Sequence, residues 1–427
     1  MPRTLDVYLA DRLVGRLIQE DSGQLQFAYD AGWLEAADAR PISQSLPLRA
    51  EPFGHRECRP FFSGLLPEAE KRDVIARVLG VSPRNDFILL DRLGGECAGA
   101  ITFVHAGDPP PRAPIEADYR SLSEQELARI LYSLPERPLL AGEEGVRLSL
   151  AGAQDKLPVL VVDNEVALPL HGAPSSHILK PRIRRFRDTV HNEAFCLMLA
   201  GRLGFHVVPA EVRRAKDEPF LLIERYDRIR TADGALVRLH QEDFCQALGV
   251  PPERKYQNEG GPSLADCIGL VRRACSRPAV NLIRLLDYVI FNFLVGNHDA
   301  HGKNYSLVYT ARGIELAPLY DVVSTVVYPD LSGRLAMKIG DKYQPGEILP
   351  RHWDRFARDT GLAAPMVRRR VLDIARRVTE ASREVADALD RQGHGSPIIA
   401  RIIDLVDSRS AKLQSDFEQA RARDYKV

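Results

Sequence analysis

Apolar and polar positions alternate along residues 6–10 and 16–18, and 26–29 continues the alternation. A period of two puts every second side chain on one face of a half-buried strand, so the first hundred residues read as β-rich. The apolar spacing changes in 67–79, where a helix is expected to end at Gly80, a residue that takes the left-handed C-cap conformation without strain. Residues 85–90 and 100–104 complete this module. Ser123 and Glu126 stand three apart before an apolar run, which predicts a capped helix over 123–131. From Arg147 the pattern is strand, tight loop, strand, with a hairpin of 158–162 and 165–168 around Asp163 and Asn164. Residues 177–180 and 220–223 read as further strands. Between them Ala194, Leu197, Met198 and Leu203 fall near helical spacing, predicting a helix over 192–203 that stops at Gly204. Residues 241–300 and 351–427 are expected to be mostly helical, with short strands only near 305–316 and 334–339.

The resulting expectation is an α+β chain with the bilobal, protein-kinase-like plan. A β-rich N-terminal module spans 1–107, and a Pro-rich linker and helix span 108–145. A β-rich lobe spans 146–228, and a mainly helical C-terminal lobe spans 229–427. The boundary at 108 rests on prolines 109, 110, 111 and 114, which neither pair in a sheet nor continue a helix. At 427 residues the chain exceeds one ordinary core, which fits several lobes.

Composition changes this picture little. Lys plus Arg (58) balances Asp plus Glu (58), so no global field draws the chain to nucleic acid or membrane. The basic runs at 182–187 and 368–370 read as solvated faces. The six cysteines are scattered without any C-x-x-C, which argues against a disulfide framework or a zinc site and fits the cytoplasm. The most apolar helix, 282–295, is interrupted by Arg284 and Asp287, so no membrane span is expected.

That helix delivers directly into Gly296-Asn297-His298-Asp299-Ala300-His301-Gly302-Lys303-Asn304, and Tyr320-Asp321 follows. An Asp, an Asn five positions on and a later Asp are how ATP-dependent phosphotransferases arrange an acceptor-orienting carboxylate and two Mg²⁺ ligands. Asp299 is the candidate base, with Asn304 and Asp321 as the metal ligands. His301 and Lys303 lie close enough to offset charge on a transferring phosphoryl group, whereas His298 reads as structural. No G-x-G-x-x-G is present. Ala151, Gly152, Ala153 and Gln154 instead form a small-residue loop able to approach phosphates, and Lys156 adds charge. Lys180 ends a strand as the phosphate-binding lysine of kinases does, with Glu193 its candidate helical partner. The backbone from Glu224 to Tyr226 is positioned as an adenine-reading hinge. The function expected from these residues is therefore phosphoryl transfer from ATP with Mg²⁺.

With these residues collected, the chain resembles the HipA family, the serine/threonine kinase toxins of bacterial toxin–antitoxin systems. The resemblance rests on 149–156, 177–181, 224–228, 239–243, 296–304 and 317–321, and on 41–48 and 61–68 in the N-terminal module. It implies a kinase that phosphorylates an aminoacyl-tRNA synthetase, best known for the glutamate enzyme, and so arrests translation and growth. It also implies a HipB-like helix-turn-helix antitoxin that binds the kinase and represses their operon, with operator DNA reached through the antitoxin. Ser149 matches the family's autophosphorylated serine, a role that its residue chemistry alone does not suggest. Two rivals remain at this level. One is a small-molecule phosphotransferase, since the same Asp-Asn-Asp order occurs in antibiotic and lipid kinases; the other is a catalytically silent co-repressor.

Overall fold

The computed structural model describes residues 2–424. It divides into two compact units woven from alternating stretches of chain. The first holds the chain up to Pro181, Arg213–Glu253 and Ser306–Arg312; the second holds Arg182–Val212, Arg254–Tyr305 and the chain from Gly313.

In the first unit the expected alternation becomes a four-stranded antiparallel sheet, in the order Leu25–Tyr29, Arg12–Gln19, Arg3–Leu9, Ile101–His105. Leu25, Phe27 and Tyr29 are buried while the residues between them are only partly so. Helices cover this sheet. His55–Gly64 buries Phe61 and Phe62, and the Phe62 ring lies 5.2 Å from Phe27 and 6.0 Å from Phe103. Each fully buried phenyl ring contributes about 2–3 kcal/mol of transfer free energy. Ala69–Leu79 ends at Gly80 as expected, with φ at 66° and its N–H on the Ala76 and Arg77 carbonyls. Residues 85–90 belong to the helix Asp86–Leu93, capped by Asn85; Phe87, Leu89, Leu90 and Leu93 are all buried, too dense an apolar set to show a period. The prolines at 109–111 and 114 carry no regular structure, and the chain on both sides of them belongs to the same unit.

A second sheet in this unit runs Tyr119–Ser121, Glu165–Pro169, Leu157–Val162, His177–Pro181, Glu218–Glu224 in hydrogen-bonded order. The hairpin turn uses Asp163 (φ 48°) and Asn164 (φ 70°), both left-handed, the twist that suits a two-residue connection. Ser123 and Glu126 form the expected capping box at the start of Glu124–Ser133. One expectation needs correction. No strand precedes the loop at 149–156; Leu148 makes only an isolated bridge to Glu96, and the strand begins at Leu157. His240–Asp243 pairs with Ser306–Thr310.

The second unit is mostly helical. Thr189–Arg202, Leu264–Ala274, Pro350–Thr360, Ala364–Arg391 and Pro397–Asp424 pack around or beside Pro278–Val295. That helix is long and apolar enough to cross a membrane, yet 67% of it is buried inside the protein. Its interrupting Asp287 accepts two hydrogen bonds from Arg370, at 2.9 and 2.6 Å, so Arg370 of the basic run is an ion-pair partner and not a solvated charge. The strand expected at 334–339 is absent. Leu335, Ala336, Met337 and Ile339 are buried as an irregular segment whose one bridge joins Ile339 to Lys342. Burial alone produced the apolar run there.

Candidate functional site

In the first unit the loop at 149–156 is gripped from below. Ser149 is fully buried, donating its hydroxyl to the Leu65 carbonyl at 2.9 Å while its N–H bonds the Glu96 carbonyl at 2.9 Å. Gly152 has φ at 108° and bridges to Pro67. That backbone conformation favours glycine; a Cβ there would sit 2.7 Å from Lys156 Nζ, a flexible side-chain end that can move aside. Lys156 Nζ donates to the Ala151 carbonyl at 2.5 Å, and Lys71 pairs with Asp155 at 2.8 Å. Ala151, Gly152 and Gln154 are half-buried, and Ala153 is exposed at the tip. The sequence thus sets small residues and ammonium groups around a glycine-permitted turn, the composition of an anion cradle.

Lys180 is 6% exposed and lies opposite Leu221 in the sheet. The same pairing ends at Glu224, an exposed residue opposite His177. Beyond it the chain enters a buried charge cluster that sequence reasoning missed. Arg225 donates to Asp227 at 2.9 and 2.7 Å and to Glu96 at 3.1 Å. Arg228 reaches Glu96 at 2.8 Å and Arg238 reaches it at 2.6 Å. Burial pushes the Glu96 carboxyl upward, but the guanidinium groups of Arg228, Arg238 and Arg225 outweigh it and hold it at about 2. Asp227 also accepts from the Gly99 N–H at 2.7 Å. These bonds clamp both sides of Tyr226, whose hydroxyl donates to Gln241 at 2.8 Å and is pushed well above its usual range by burial. Arg225 and Arg228 stand within a motif noted in the sequence, but their partner Glu96 lies 129 positions from Arg225.

In the second unit the helix Pro278–Val295 stops at Gly296, left-handed at φ 75°. The following loop is built of amide bonds. Asn297 donates to Asn292 at 2.9 Å and accepts from the Asp299 N–H at 3.2 Å. His298 is structural, as expected. Its N–H bonds Thr325, its Nε2 lies 2.9 Å from Arg409, and burial together with Arg409 holds it down at about 4. It is therefore neutral at physiological pH. Asp299 is exposed at the loop tip, whereas His301, Lys303 and Asn304 are 5%, 8% and 9% exposed. Tyr256 donates its hydroxyl to Asp299 Oδ1 at 2.7 Å and sets its ring 5.1 Å from His301 at 80°. Nothing in the sequence pointed to this tyrosine.

Asn304 and Asp321 are brought together, with Asn304 Nδ2 2.9 Å from Asp321 Oδ2. Asn304 Oδ1 accepts the His301 N–H at 3.1 Å, and Tyr320 donates to the Lys303 carbonyl at 2.9 Å, tying the second aspartate's turn to the loop. Asp321 is itself left-handed at φ 56°, a conformation worth about 1–2 kcal/mol of strain in a non-glycine residue. Among the described residues no group of three or more His, Cys, Asp or Glu could hold a metal. One carboxylate beside one amide fits Mg²⁺, a hard cation that takes few protein oxygens and completes its shell with phosphate and water. Glu193 is 2% exposed in the second turn of Thr189–Arg202, a helix that starts before residue 192.

Residues 148–386 match the family model described as HipA-like C-terminal domain, and residues 5–104 match that of the HipA N-terminal domain. Y4mE of Sinorhizobium fredii is 52% identical over 391 residues, covering 90% of this chain and 92% of that protein. The serine/threonine-protein kinase toxin HipA of Shewanella oneidensis is 32% identical over 396 residues, covering 90% of this chain and 89% of that one. Among solved structures, the Shewanella oneidensis toxin–antitoxin complex of HipA, HipB and operator DNA matches with a TM-score of 0.84 at 28% identity. That match covers 98% of this chain and 99% of the other.

Proposed function

The chain belongs to the HipA family, and from that premise we propose that it is an ATP-dependent serine/threonine protein kinase, the toxin of a toxin–antitoxin pair. The observation that carries this reading is the meeting of Asn304 and Asp321 beside the loop that presents Asp299. Phosphoryl transfer asks mainly for positioning and charge neutralisation. Asp299 orients the acceptor hydroxyl and takes its proton as the acceptor oxygen bonds the γ-phosphorus of ATP and the bond to the β–γ bridging oxygen breaks, releasing ADP. Lys180 holds the α- and β-phosphates, with Glu193 orienting it. Ala151, Gly152, Ala153, Gln154 and Lys156 cover the phosphates, and the backbone from Glu224 to Tyr226 reads the adenine edge. His301 and Lys303 offset charge on the transferring group. Mg²⁺, held by Asn304 and Asp321 oxygens, would neutralise phosphate charge.

The acceptor we propose is an aminoacyl-tRNA synthetase, the glutamate enzyme first, whose phosphorylation halts translation in the cytoplasm. A HipB-like helix-turn-helix antitoxin binds and silences the chain, and operator DNA is engaged through it; the match to a HipA, HipB and operator DNA complex supports this. Self-phosphorylation at Ser149 would add about two negative charges to a group with no exposed surface. The loop would then have to leave its seat on Leu65, and the enzyme would be switched off.

The test is phosphopeptide mass spectrometry of bacterial cells expressing the wild type or Asp299→Asn. The variant is expected to lower transfer by about 10³-fold while leaving ATP binding intact, because only the orienting carboxylate is lost. A synthetase peptide and the Ser149 peptide should be phosphorylated only with the wild type. Identical phosphopeptides in the two strains would overturn the assignment.

A further inference from the structure

Tyr256 is an unexpected neighbour of the candidate base. It lies on an otherwise exposed stretch, since Asn258, Glu259 and Gly260 all face solvent, yet its hydroxyl ends on Asp299. The stretch is not loosely placed. The Gln257 N–H bonds the Ala336 carbonyl at 3.2 Å, and Gln257 Oε1 accepts the Lys338 N–H at 2.7 Å. The Ala336 N–H in turn bonds the His298 carbonyl at 2.8 Å. Following these bonds from His298 to Ala336, to Gln257, along the chain to Tyr256 and on to Asp299 returns to the residue next to the starting point. The closed ring ties the phenol to the backbone of the loop whose carboxylate it touches.

An aspartate at a loop tip has two free torsions, and a base that rotates away from the acceptor loses most of its effect. A donor held by the same loop removes that freedom. The His301 ring packs edge-on against the phenol and blocks its sideways movement.

We propose that Tyr256 is a positioning residue for phosphoryl transfer, holding the Asp299 carboxylate in the orientation that receives the acceptor hydroxyl. The inference rests on the assignment of Asp299 as the base. The phenol donates to one carboxylate oxygen and so fixes the direction in which the other oxygen faces. It acts through Asp299 and makes no contact with nucleotide in this scheme.

The test uses the full chain and MgATP, following initial rates of phosphate transfer to water and to the protein itself, with wild type, Tyr256→Phe and Asp299→Asn. Phenylalanine keeps the ring against His301 and removes only the hydroxyl. The expected result is a fall in kcat of about tenfold with KM for ATP unchanged. A residue that merely braced the fold would not move the kcat-to-KM split. A wild-type rate in Tyr256→Phe, with Asp299→Asn inactive, would overturn the positioning role and leave the base intact. A faster Tyr256→Phe enzyme, or phosphotyrosine at 256, would overturn it as well, making the phenol an obstruction or an acceptor. Full activity in Asp299→Asn, or none in the wild type, would instead remove the function on which the inference rests.

Discussion

Two buried glutamates of the first unit show how far local surroundings decide the chemistry of one residue type. Glu96 faces three guanidinium groups and stays ionised, held at about 2. Glu242 accepts from Ser43 Oγ at 2.5 Å, the Gln44 N–H at 3.0 Å and Tyr309 at 2.6 Å, all neutral donors. Burial is the largest influence there, and it wins, raising the carboxyl from 4.5 to about 7. A raised folded value means that the native state binds the proton more tightly than the unfolded chain does. The resulting stabilisation is complete below 4.5 and is lost as pH climbs through 7, a difference of about 3 kcal/mol. Glu242→Gln mimics the protonated form and should flatten this fall. Chemical denaturation at pH 5 and pH 8 would check it: wild type should lose stability between them and the variant should not. Parallel losses would show that Glu242 is not the titrating group. At this scale the catalytic candidates were readable in the sequence because their spacing is set by a loop of fixed length. Glu96, Glu242 and Tyr256 were not, because their partners lie 129, 199 and 43 positions away.

Among the elements, the helix Pro278–Val295 does most to place the candidate catalytic loop, and its end is decided by Gly296. That residue is left-handed, and a Cβ there would lie 2.5 Å from Val326 Cγ1 and 2.6 Å from Leu405 Cδ2. Gly296→Ala therefore combines backbone strain with overpacking, a cost of about 2–4 kcal/mol. The Thr325 and Val326 N–H groups both bond the Gly296 carbonyl, so displacement there also reaches the turn after Asp321. The variant should unfold at lower denaturant and transfer phosphate more slowly; an unchanged midpoint would show that the neighbouring side chains yield freely. Elements with a strong period or a clear stop signal were legible: the hairpin at 163–164, the capped helix at 124, the helix ending at Gly80. Asp86–Leu93 and the buried segment at 335–339 were not, because a run that is apolar on every side has no period to read.

For the whole molecule, the consequential fact is that the N-terminal sheet and the sheet carrying Lys180 share one unit. Glu96, the Cys97 carbonyl and Gly99 supply partners to Arg225, Asp227 and Arg228. Removing residues 1–107 would strip those partners and leave buried guanidinium groups uncompensated, worth about 3–5 kcal/mol for a broken pair. A chain starting at 108 should melt roughly 10 °C lower or fail to stay in solution. Melting at the full-length temperature would mean that the second sheet stands on its own.

The sequence by itself determined the period of each well-patterned strand and helix, the candidate residues of the 296–304 loop and the family the chain belongs to. These depend on local geometry, where neighbours in the chain are neighbours in space. Only the tertiary structure decided that Ser149 is buried, that Arg225 and Arg228 close on Glu96, and that Tyr256 rests on Asp299. Those contacts join residues far apart in the chain, and they form because burying a polar group is tolerable only where folding supplies its partner.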